Sequence, residues 1–283
     1  MSQQVGESAE HCFYQKQNKV EIHVHSHEIK AEYCLKYQNA LLSDIQLKRP
    51  LKVVLDGLHG SAGRCADLVL QKMGCEVISI RCQADGNFPD HPPDPSLAIH
   101  LIQLQHKIRL HQADLGIALD GDGDRVVLVD ENAHIISADR LLSLFAKLCL
   151  TSHPAHEVVF DVKCSSMVKN TVEQCGGHAK MIRTGSSFLR RYLSQTQGKA
   201  VFGGEYAGHY VFNDGRGFGY DDGLYAALRV MEYLSQHPET SLSALFAAYP
   251  DRFGTEDTYI STDHTNPIEV LKLVEARSAD LGA

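Results

Sequence analysis

Three aspartates at alternate positions lie between two apolar runs, and this segment restricts the fold more than any other. The runs cover residues 115–119 and 126–129 and are aliphatic apart from one glycine and one alanine, so both are predicted to be buried strands. The connecting loop carries Asp120, Asp122 and Asp124, separated by single glycines. Carboxylates this close repel one another and destabilise a loop unless a cation neutralises them. Because carboxylate oxygens in a confined space suit Mg²⁺, the loop is predicted to bind that ion.

Three other kinds of loop carry aspartates in a similar pattern. A hairpin turn needs a single Asp-Gly pair, whereas this loop has two pairs followed by a third aspartate. An EF-hand needs glycine at its sixth position and a helix on each side, but that position is Arg125 and the flanks are strand-like. A haloacid-dehalogenase-type phosphatase needs threonine or valine where Asp124 stands. The metal-loop interpretation is therefore preferred.

The composition excludes several classes of function. The chain has 283 residues, of which 43% are apolar and 22% charged, as is typical of a globular protein with two domains. A formal net charge of −8 argues against nucleic acid or an anionic membrane as the main partner. No apolar run reaches the roughly 20 residues of a membrane span, and residues 1–10 lack the core of a signal peptide. The eight cysteines are scattered without a C-x-x-C pair, which predicts reduced thiols and a cytoplasmic location.

From Pro50 onward, strand-like and helix-like segments alternate, which predicts an α/β fold with helices packed on sheets. Residues 53–56 read Val-Val-Leu-Asp, and residues 158–161 repeat this as Val-Val-Phe-Asp. The second half is therefore predicted to be a related copy of the first. The expected division is an N-terminal stub with one helix (1–49), a metal-binding domain (50–150), a sugar-binding domain (151–254) and the start of a further domain (255–283).

A second loop, residues 204–209, reads Gly-Glu-Tyr-Ala-Gly-His and follows a predicted buried strand. A carboxylate accepts two hydrogen bonds in a fixed geometry, so Glu205, together with His209, suits recognition of neighbouring sugar hydroxyls. A hairpin with polar surface residues explains the same pattern equally well. On the residues alone both interpretations stay open.

Taken together, these motifs resemble those of the α-D-phosphohexomutases, the phosphomannomutase/phosphoglucomutase superfamily, and in particular its bacterial bifunctional branch. The resemblance covers about residues 30–270. It implies two related three-layer α/β/α domains of mixed sheets, equivalent to domains II and III of that family. The matching segments are 85–89 (Asp-Gly-Asn-Phe-Pro), 119–125 (Leu-Asp-Gly-Asp-Gly-Asp-Arg), 161–164 (Asp-Val-Lys-Cys), 183–186 (Arg-Thr-Gly-Ser), 204–209 and 219–223 (Gly-Tyr-Asp-Asp-Gly).

The resemblance also implies roles for single residues. The three loop aspartates would hold Mg²⁺, and a cation at Lys163 would stabilise phosphoryl charge, although a surface lysine after a strand explains that residue as well. Two positions depart from the family pattern, because Ala207 stands in place of a serine and Ser186 in place of a histidine. The implied catalytic residues are Arg125, Lys163 and His209, and the implied substrate-binding residues are Lys163, Glu205, Ala207 and His209.

The implied activity is interconversion of hexose 1-phosphate and hexose 6-phosphate, from mannose or glucose, through a phosphoserine and a bisphosphate intermediate. The serine-containing loop of the family, similar to Thr-Ala-Ser-His-Asn-Pro, has no counterpart in this sequence. The sequence is therefore expected to comprise the two central domains of the family with a stub at each end. An inactive remnant that binds Mg²⁺ and sugar phosphate is the alternative function, and exposed domain faces predict self-association.

Overall fold

The structure, a computed structural model, describes residues 26–249, 261–262 and 265–278. The chain divides into two units, residues 1–249 and residues 250–283. Most of the predicted N-terminal stub, residues 1–25, and residues 255–260 of the predicted further domain lie outside the described residues.

The first half of the larger unit folds into a four-stranded sheet with helices packed on it. Its elements are helix α1 (Ser26–Asp44), strand β1 (Lys52–Asp56), helix α2 (Gly63–Lys72), strand β2 (Glu76–Ile80), a 3₁₀ turn (Ala98–Leu101), helix α3 (Ile102–His111), strand β3 (Leu115–Leu119) and strand β4 (Val126–Asp130). The strand order is β2-β1-β3-β4, and only β4 is antiparallel to its neighbour. Residues 120–125 are too few for the crossover that a parallel partner needs, so β3 and β4 form a hairpin.

The second half repeats this arrangement. Its elements are helix α4 (Ala138–Ser152), strand β5 (Glu157–Asp161), helix α5 (Ser166–Gln174), strand β6 (His178–Ile182), helix α6 (Ser186–Gln195), strand β7 (Ala200–Gly204), strand β8 (Tyr210–Phe212), helix α7 (Gly223–Gln236) and helix α8 (Leu242–Phe246). The strand order is β6-β5-β7-β8, again with only the last strand antiparallel. The predicted fold class, two related α/β/α domains with mixed sheets, is confirmed.

The two sheets share helices and a hydrophobic core. Helix α4 lies almost entirely before the predicted boundary at residue 151 but packs on β7 and α5. Helix α7, from the second half, packs on β3 and β4. The fully buried Phe145 of α4 lies with its ring centroid 5.0 Å from Tyr210 and 5.1 Å from Phe212. Aromatic pairs at such separations add to the stabilisation that burial alone provides. The halves of the larger unit are therefore joined through α4 and α7 as well as through the chain connection.

Every predicted functional residue lies just beyond the carboxyl end of a strand or on a turn next to it. The aspartate loop follows β3, Lys163 follows β5, and Glu205 follows β7. The first strand of each half ends in an aspartate that is fully buried, Asp56 in one and Asp161 in the other. In open α/β sheets ligands bind outside the carboxyl ends of the strands, so this edge is where a site is expected.

In the smaller unit the structure describes helix α9 (Pro267–Ser278). The Asn266 side chain accepts a hydrogen bond of 3.0 Å from the backbone N–H of Ile268, which is a typical start for a helix. Among the residues that the structure describes, no helix is both long and apolar enough to cross a membrane.

Candidate active site

The aspartate loop closes directly onto the β3–β4 hairpin, in which Leu119 pairs with Val126. Asp120 is buried, Asp124 is half-buried and Asp122 is exposed. Each of the three offers one carboxylate oxygen, and these oxygens lie within 4.8 Å of one another. Three carboxylate oxygens this close to one another are a donor set that fits a small divalent cation.

Hydrogen bonds to Asp120 fix the shape of this loop. One Asp120 oxygen accepts the backbone N–H groups of Gly123 and Arg125 at 3.0 and 3.1 Å, and the other accepts Nε of Arg125 at 2.7 Å. Gly123 has a φ of +83°, a conformation that residues with a Cβ rarely adopt. Arg125 also lies 3.5 Å from an oxygen of Asp94. Its guanidinium group therefore provides positive charge to the loop itself.

Burial and the neighbouring carboxylates both disfavour the charged form of Asp124. Burial, together with the Asp120, Asp122 and Asp221 carboxylates, raises the pKa of Asp124 to about 6, although His209 acts in the opposite direction. The repulsion between carboxylates that was predicted for this loop adds to the effect of burial at this position. Asp221 was not among the predicted ligands.

The second predicted loop is a tight turn after β7. The backbone N–H of Gly208 donates to the carbonyl of Glu205 at 3.0 Å, and the N–H of Glu205 donates to the carbonyl of His209 at 2.9 Å. The Glu205 side chain is only 1% exposed, and one of its oxygens accepts the backbone N–H of Gly185. Burial raises the pKa of Glu205, while the Gly185 N–H opposes that effect. The carboxylate is thus turned inward, and only its second oxygen lacks a hydrogen bond within the described part of the chain.

Asp161 holds three segments together beneath this turn. One of its oxygens accepts the backbone N–H of Tyr206 at 3.1 Å and the Cys164 thiol at 3.0 Å, and the other accepts the Thr184 hydroxyl at 2.8 Å. The segments after β5, β6 and β7 therefore all depend on one carboxylate. Asp56 takes the equivalent position in the first half, where it is bound by Arg81.

The aspartate loop and the Glu205–His209 turn meet through their backbones. Arg125 and His209 form an isolated antiparallel bridge, and the N–H of Val126 donates to the carbonyl of Gly208 at 3.2 Å. The N–H of Gly223, at the start of α7, donates to the carbonyl of Gly123 at 3.0 Å. The two motifs lie about 80 positions apart in the sequence, but backbone hydrogen bonds join them in the fold.

His209 connects the two loops through its side chain. Its Nδ1 lies 3.6 Å from Asp124 Oδ2 and 3.0 Å from Asp221 Oδ2, and the other oxygen of Asp221 accepts Nη1 of Arg190 at 2.7 Å. Burial alone would lower the pKa of His209, but the Asp221 and Asp124 carboxylates outweigh it and raise the pKa above its usual value. For Asp221, burial acts to raise the pKa, but His209 and Arg190 prevail and lower it.

Sequence reasoning did not separate the roles of Asp221 and Asp222. Asp222 is the N-cap of α7, since its side chain accepts the N–H of Tyr225 at 2.9 Å, and it also accepts the Tyr37 hydroxyl at 2.9 Å. Asp221 is the residue that faces His209 and the loop. A helix-start motif with two adjacent aspartates does not indicate which one caps the helix, because either can accept the N–H.

Lys163 and Ala207 remain predictions. Both are exposed, Lys163 in the turn after β5 and Ala207 at the tip of the turn after β7. Ala207 lines a cavity of about 240 Å³ between the turn and strand β4. The methyl group of Ala207 offers no hydrogen bond to a ligand in that cavity, as predicted from the presence of alanine where the family pattern has serine.

The sequence matches two family models over most of its length. Residues 31–133 match the model described as phosphoglucomutase/phosphomannomutase, alpha/beta/alpha domain II, and residues 137–253 match the model for domain III of the same family. The chain belongs to the phosphoglucomutase/phosphomannomutase family. The second match begins before α4, in agreement with the packing of that helix on the second sheet.

Curated members of the phosphoglucomutase/phosphomannomutase family are similar along nearly the whole chain. A phosphomannomutase/phosphoglucomutase of Pseudomonas putida is 40% identical over 253 residues, covering 89% of this chain and 54% of that protein. A phosphoglucomutase of Neisseria gonorrhoeae is 36% identical over 250 residues, covering 87% of this chain and 53% of that protein. The chain spans about half the length of the curated relatives it matches.

A solved structure supports the same assignment. The phosphoglucomutase/phosphomannomutase family protein of Burkholderia thailandensis superimposes with a TM-score of 0.74 at 37% identity, covering 79% of this chain and 48% of that chain. The family resemblance inferred from the motifs is confirmed.

Proposed function

We propose that this chain is the metal- and sugar-binding part of a phosphohexomutase that interconverts hexose 1-phosphate and hexose 6-phosphate. The observation that carries the proposal is the backbone junction of the two motifs, where Arg125 pairs with His209 and the Val126 N–H donates to Gly208. A reaction that moves a phosphoryl group on a sugar needs cationic and metal-binding groups next to sugar-binding groups. The division into a metal-binding domain (50–150) and a sugar-binding domain (151–254), and a cytoplasmic location, are part of this proposal.

In this proposal Asp120, Asp122 and Asp124 hold Mg²⁺, since their oxygens converge within 4.8 Å. When bound, the ion would neutralise charge on the phosphoryl group. Arg125 would also neutralise charge on the phosphoryl group, because its guanidinium group lies against Asp120 and close to Asp124. A ligand phosphate competing for Arg125 would take over the charge-assisted hydrogen bond that Asp120 now accepts and replace the ion pair with Asp94.

The sugar side of the proposed site is the turn after β7. His209 is held by Asp221 from the buried side of its ring, so its other nitrogen is the one offered to a substrate hydroxyl. Glu205 would bind hydroxyls through the oxygen that Gly185 does not occupy. Lys163, exposed at the same edge of the sheet, would attract the phosphate, and Ala207 would contact the sugar without a hydrogen bond.

Calorimetry with mannose 1-phosphate or glucose 1-phosphate in the presence of Mg²⁺ tests the binding part of this proposal. Wild type is expected to bind, and Glu205→Gln should weaken binding at least about tenfold, because a neutral amide loses a charge-assisted hydrogen bond. Glu239→Gln, at an exposed position on the connection after α7, is the matched control and should bind like wild type. Equal affinity of all three proteins would contradict the assignment of Glu205.

A coupled assay with mannose 1-phosphate and a hexose bisphosphate activator tests the activity. The relatives named as mutases are about twice as long, so the assay is run with the chain alone and with the flanking segments of a relative added. Turnover in either case supports a mutase. The inactive-remnant alternative requires that neither mixture turns over although sugar phosphate binds.

A further inference from the structure

Helix α3 carries large apolar side chains on its outer surface as well as on the side that faces the sheet. Ile102 and Leu110 are 56% and 60% exposed, and Ile99 in the preceding 3₁₀ turn is 68% exposed. Ile102, His106 and Leu110 are four residues apart, so they form one row along the helix. Leu104 lies on the opposite side of the helix and is fully buried. The outer row is therefore additional to the core-facing side of α3.

The fold itself does not require an apolar outer row on this helix. Helix α6 has the equivalent place in the second half, between β6 and β7, and packs on β5 and β7 as α3 packs on β1 and β3. Its buried residues Leu189 and Leu193 correspond to Leu104 and Ile108 of α3. The row of α6 that corresponds to 102, 106 and 110 is exposed and polar, and it consists of Ser187, Arg191 and Gln195. The apolar row thus belongs to α3 and not to the architecture.

The sheet beside α3 extends this apolar surface. Four strands at about 4.8 Å spacing make a sheet wider than one helix of about 10 Å diameter. Helices α2 and α7 pack on the other face, whereas the helical residues in the hydrophobic cluster on this face, within the described part of the chain, all lie between 101 and 108. Ile78 of β2 and Val127 of β4 pack against that cluster and are only half-buried. Apolar surface therefore continues from α3 onto the strands at its sides.

The side chains of α3 are arranged symmetrically about His106. Four positions away in either direction stand Ile102 and Leu110, and three positions away stand Gln103 and Arg109. In an antiparallel pair of α3 helices centred on His106, the apolar residues of one copy lie level with apolar residues of the other. Each Arg109 then lies level with a neutral Gln103, whereas a parallel pair would place the two arginines level with each other. The charge pattern therefore fits an antiparallel pairing of two identical helices.

We propose that α3 packs against α3 of a second copy of this chain, in an antiparallel two-fold pair centred on His106. A two-fold interface uses the same surface on both copies, as the symmetric row allows. Side chains four residues apart form ridges, and two such ridges interdigitate when helices cross at about −50°. Ten residues of helix, about 15 Å long, supply less than the roughly 800 Å² per partner of a standard interface. The dimer is therefore expected to dissociate in the micromolar range, and none of its residues belongs to the proposed active site.

Sedimentation velocity over a range of protein concentrations tests the proposal. Wild type should pass from monomer to dimer as the concentration rises. Leu110→Glu should weaken dimerisation at least about tenfold, because each dimer would bury two unpaired carboxylates. Gln195→Glu, at the corresponding exposed position of α6, is the matched control and should dimerise like wild type. Gln103→Glu should tighten the dimer about fivefold, since two ion pairs with Arg109 would form across the two-fold axis, and Gln103→Lys should weaken it.

Three results would overturn the proposal. The first is wild type that sediments only as a monomer at its highest soluble concentration, even if an added acidic protein binds to it. The second is a dimer that Leu110→Glu leaves intact, which would place the contact on another surface. The third is a dimer that Gln103→Glu and Gln103→Lys affect equally, which would exclude the antiparallel register. Unfolding midpoints show that each variant is folded, and calorimetry with sugar phosphate should give the same affinity for Leu110→Glu as for wild type.

Discussion

Replacement of Asp161 by alanine should destabilise the protein and disorganise the turn that carries Glu205. Asp161 is fully buried and accepts the Tyr206 N–H at 3.1 Å and the Thr184 hydroxyl at 2.8 Å, besides the weaker Cys164 thiol. A hydrogen bond to a charged acceptor contributes about 1.5–3 kcal/mol. Loss of the two stronger bonds is therefore expected to lower the free energy of unfolding by about 3–6 kcal/mol.

Asp161→Asn is the control for this prediction. The asparagine carbonyl can still accept the Tyr206 N–H, and its amide can donate to the Thr184 hydroxyl, which rotates to accept. Only the charge assistance is lost, so the expected cost is about 1 kcal/mol. Urea unfolding of wild type and both variants gives the comparison, and sugar-phosphate calorimetry should show weaker binding for Asp161→Ala than for Asp161→Asn. If the two variants were equally destabilised, the reasoning would be refuted. The loss of stability would then come from the loss of the charge alone, and the hydrogen bonds would contribute nothing.

Four further predictions concern the loop, the domain junction and association. Because a protonated carboxyl cannot bind a cation and the pKa of Asp124 is raised to about 6, Mg²⁺ affinity should rise about tenfold from pH 5 to pH 7; a calorimetric affinity that is flat over this range would contradict it. Asp122→Asn should abolish Mg²⁺ binding by the loop, and unchanged calorimetric affinity would count against the ligand assignment. Gly223→Ala places a Cβ 2.5 Å from the backbone carbonyl oxygen of Arg125. Because a backbone atom cannot easily move aside, the free energy of unfolding, measured with heat or urea, is expected to fall by about 1–3 kcal/mol. A variant as stable as wild type would contradict this prediction. Self-association through exposed faces stays a prediction, and sedimentation as a single monomer at high concentration would contradict it.

Much of the fold could be predicted because its strongest signals are local. The apolar runs around the aspartate loop predicted β3 and β4 correctly. The repeated Val-Val-x-Asp segments predicted a related second copy, and the two sheets have the same strand order. In each repeat the aspartate ends the first strand and is fully buried. Its role as an acceptor for neighbouring loops needs the structure, since the donors at Tyr206 and Thr184 are 45 and 23 positions away in the chain.

Features that depend on contacts between distant segments could not be predicted. The sequence pattern assigns α4 to the first domain because it precedes a polar linker, yet the helix packs on β7 and α5. The inward turn of Glu205 depends on the N–H of Gly185, which a loop motif does not reveal. The partnership of Asp221 with His209 and Arg190 likewise joins three segments that have no pattern in common.

The backbone junction between the aspartate loop and the Glu205–His209 turn has a consequence for how such chains can be recombined. Because main-chain atoms of Gly123, Arg125 and Val126 pair with those of Gly208, His209 and Gly223, side-chain changes on either side leave the pairing intact, but insertions or deletions do not. A chimera that takes its first sheet from one family member and its second from another should fold only if residues 119–126 and 204–223 keep their lengths. Family members should therefore differ in loop length mainly at connections away from this backbone junction.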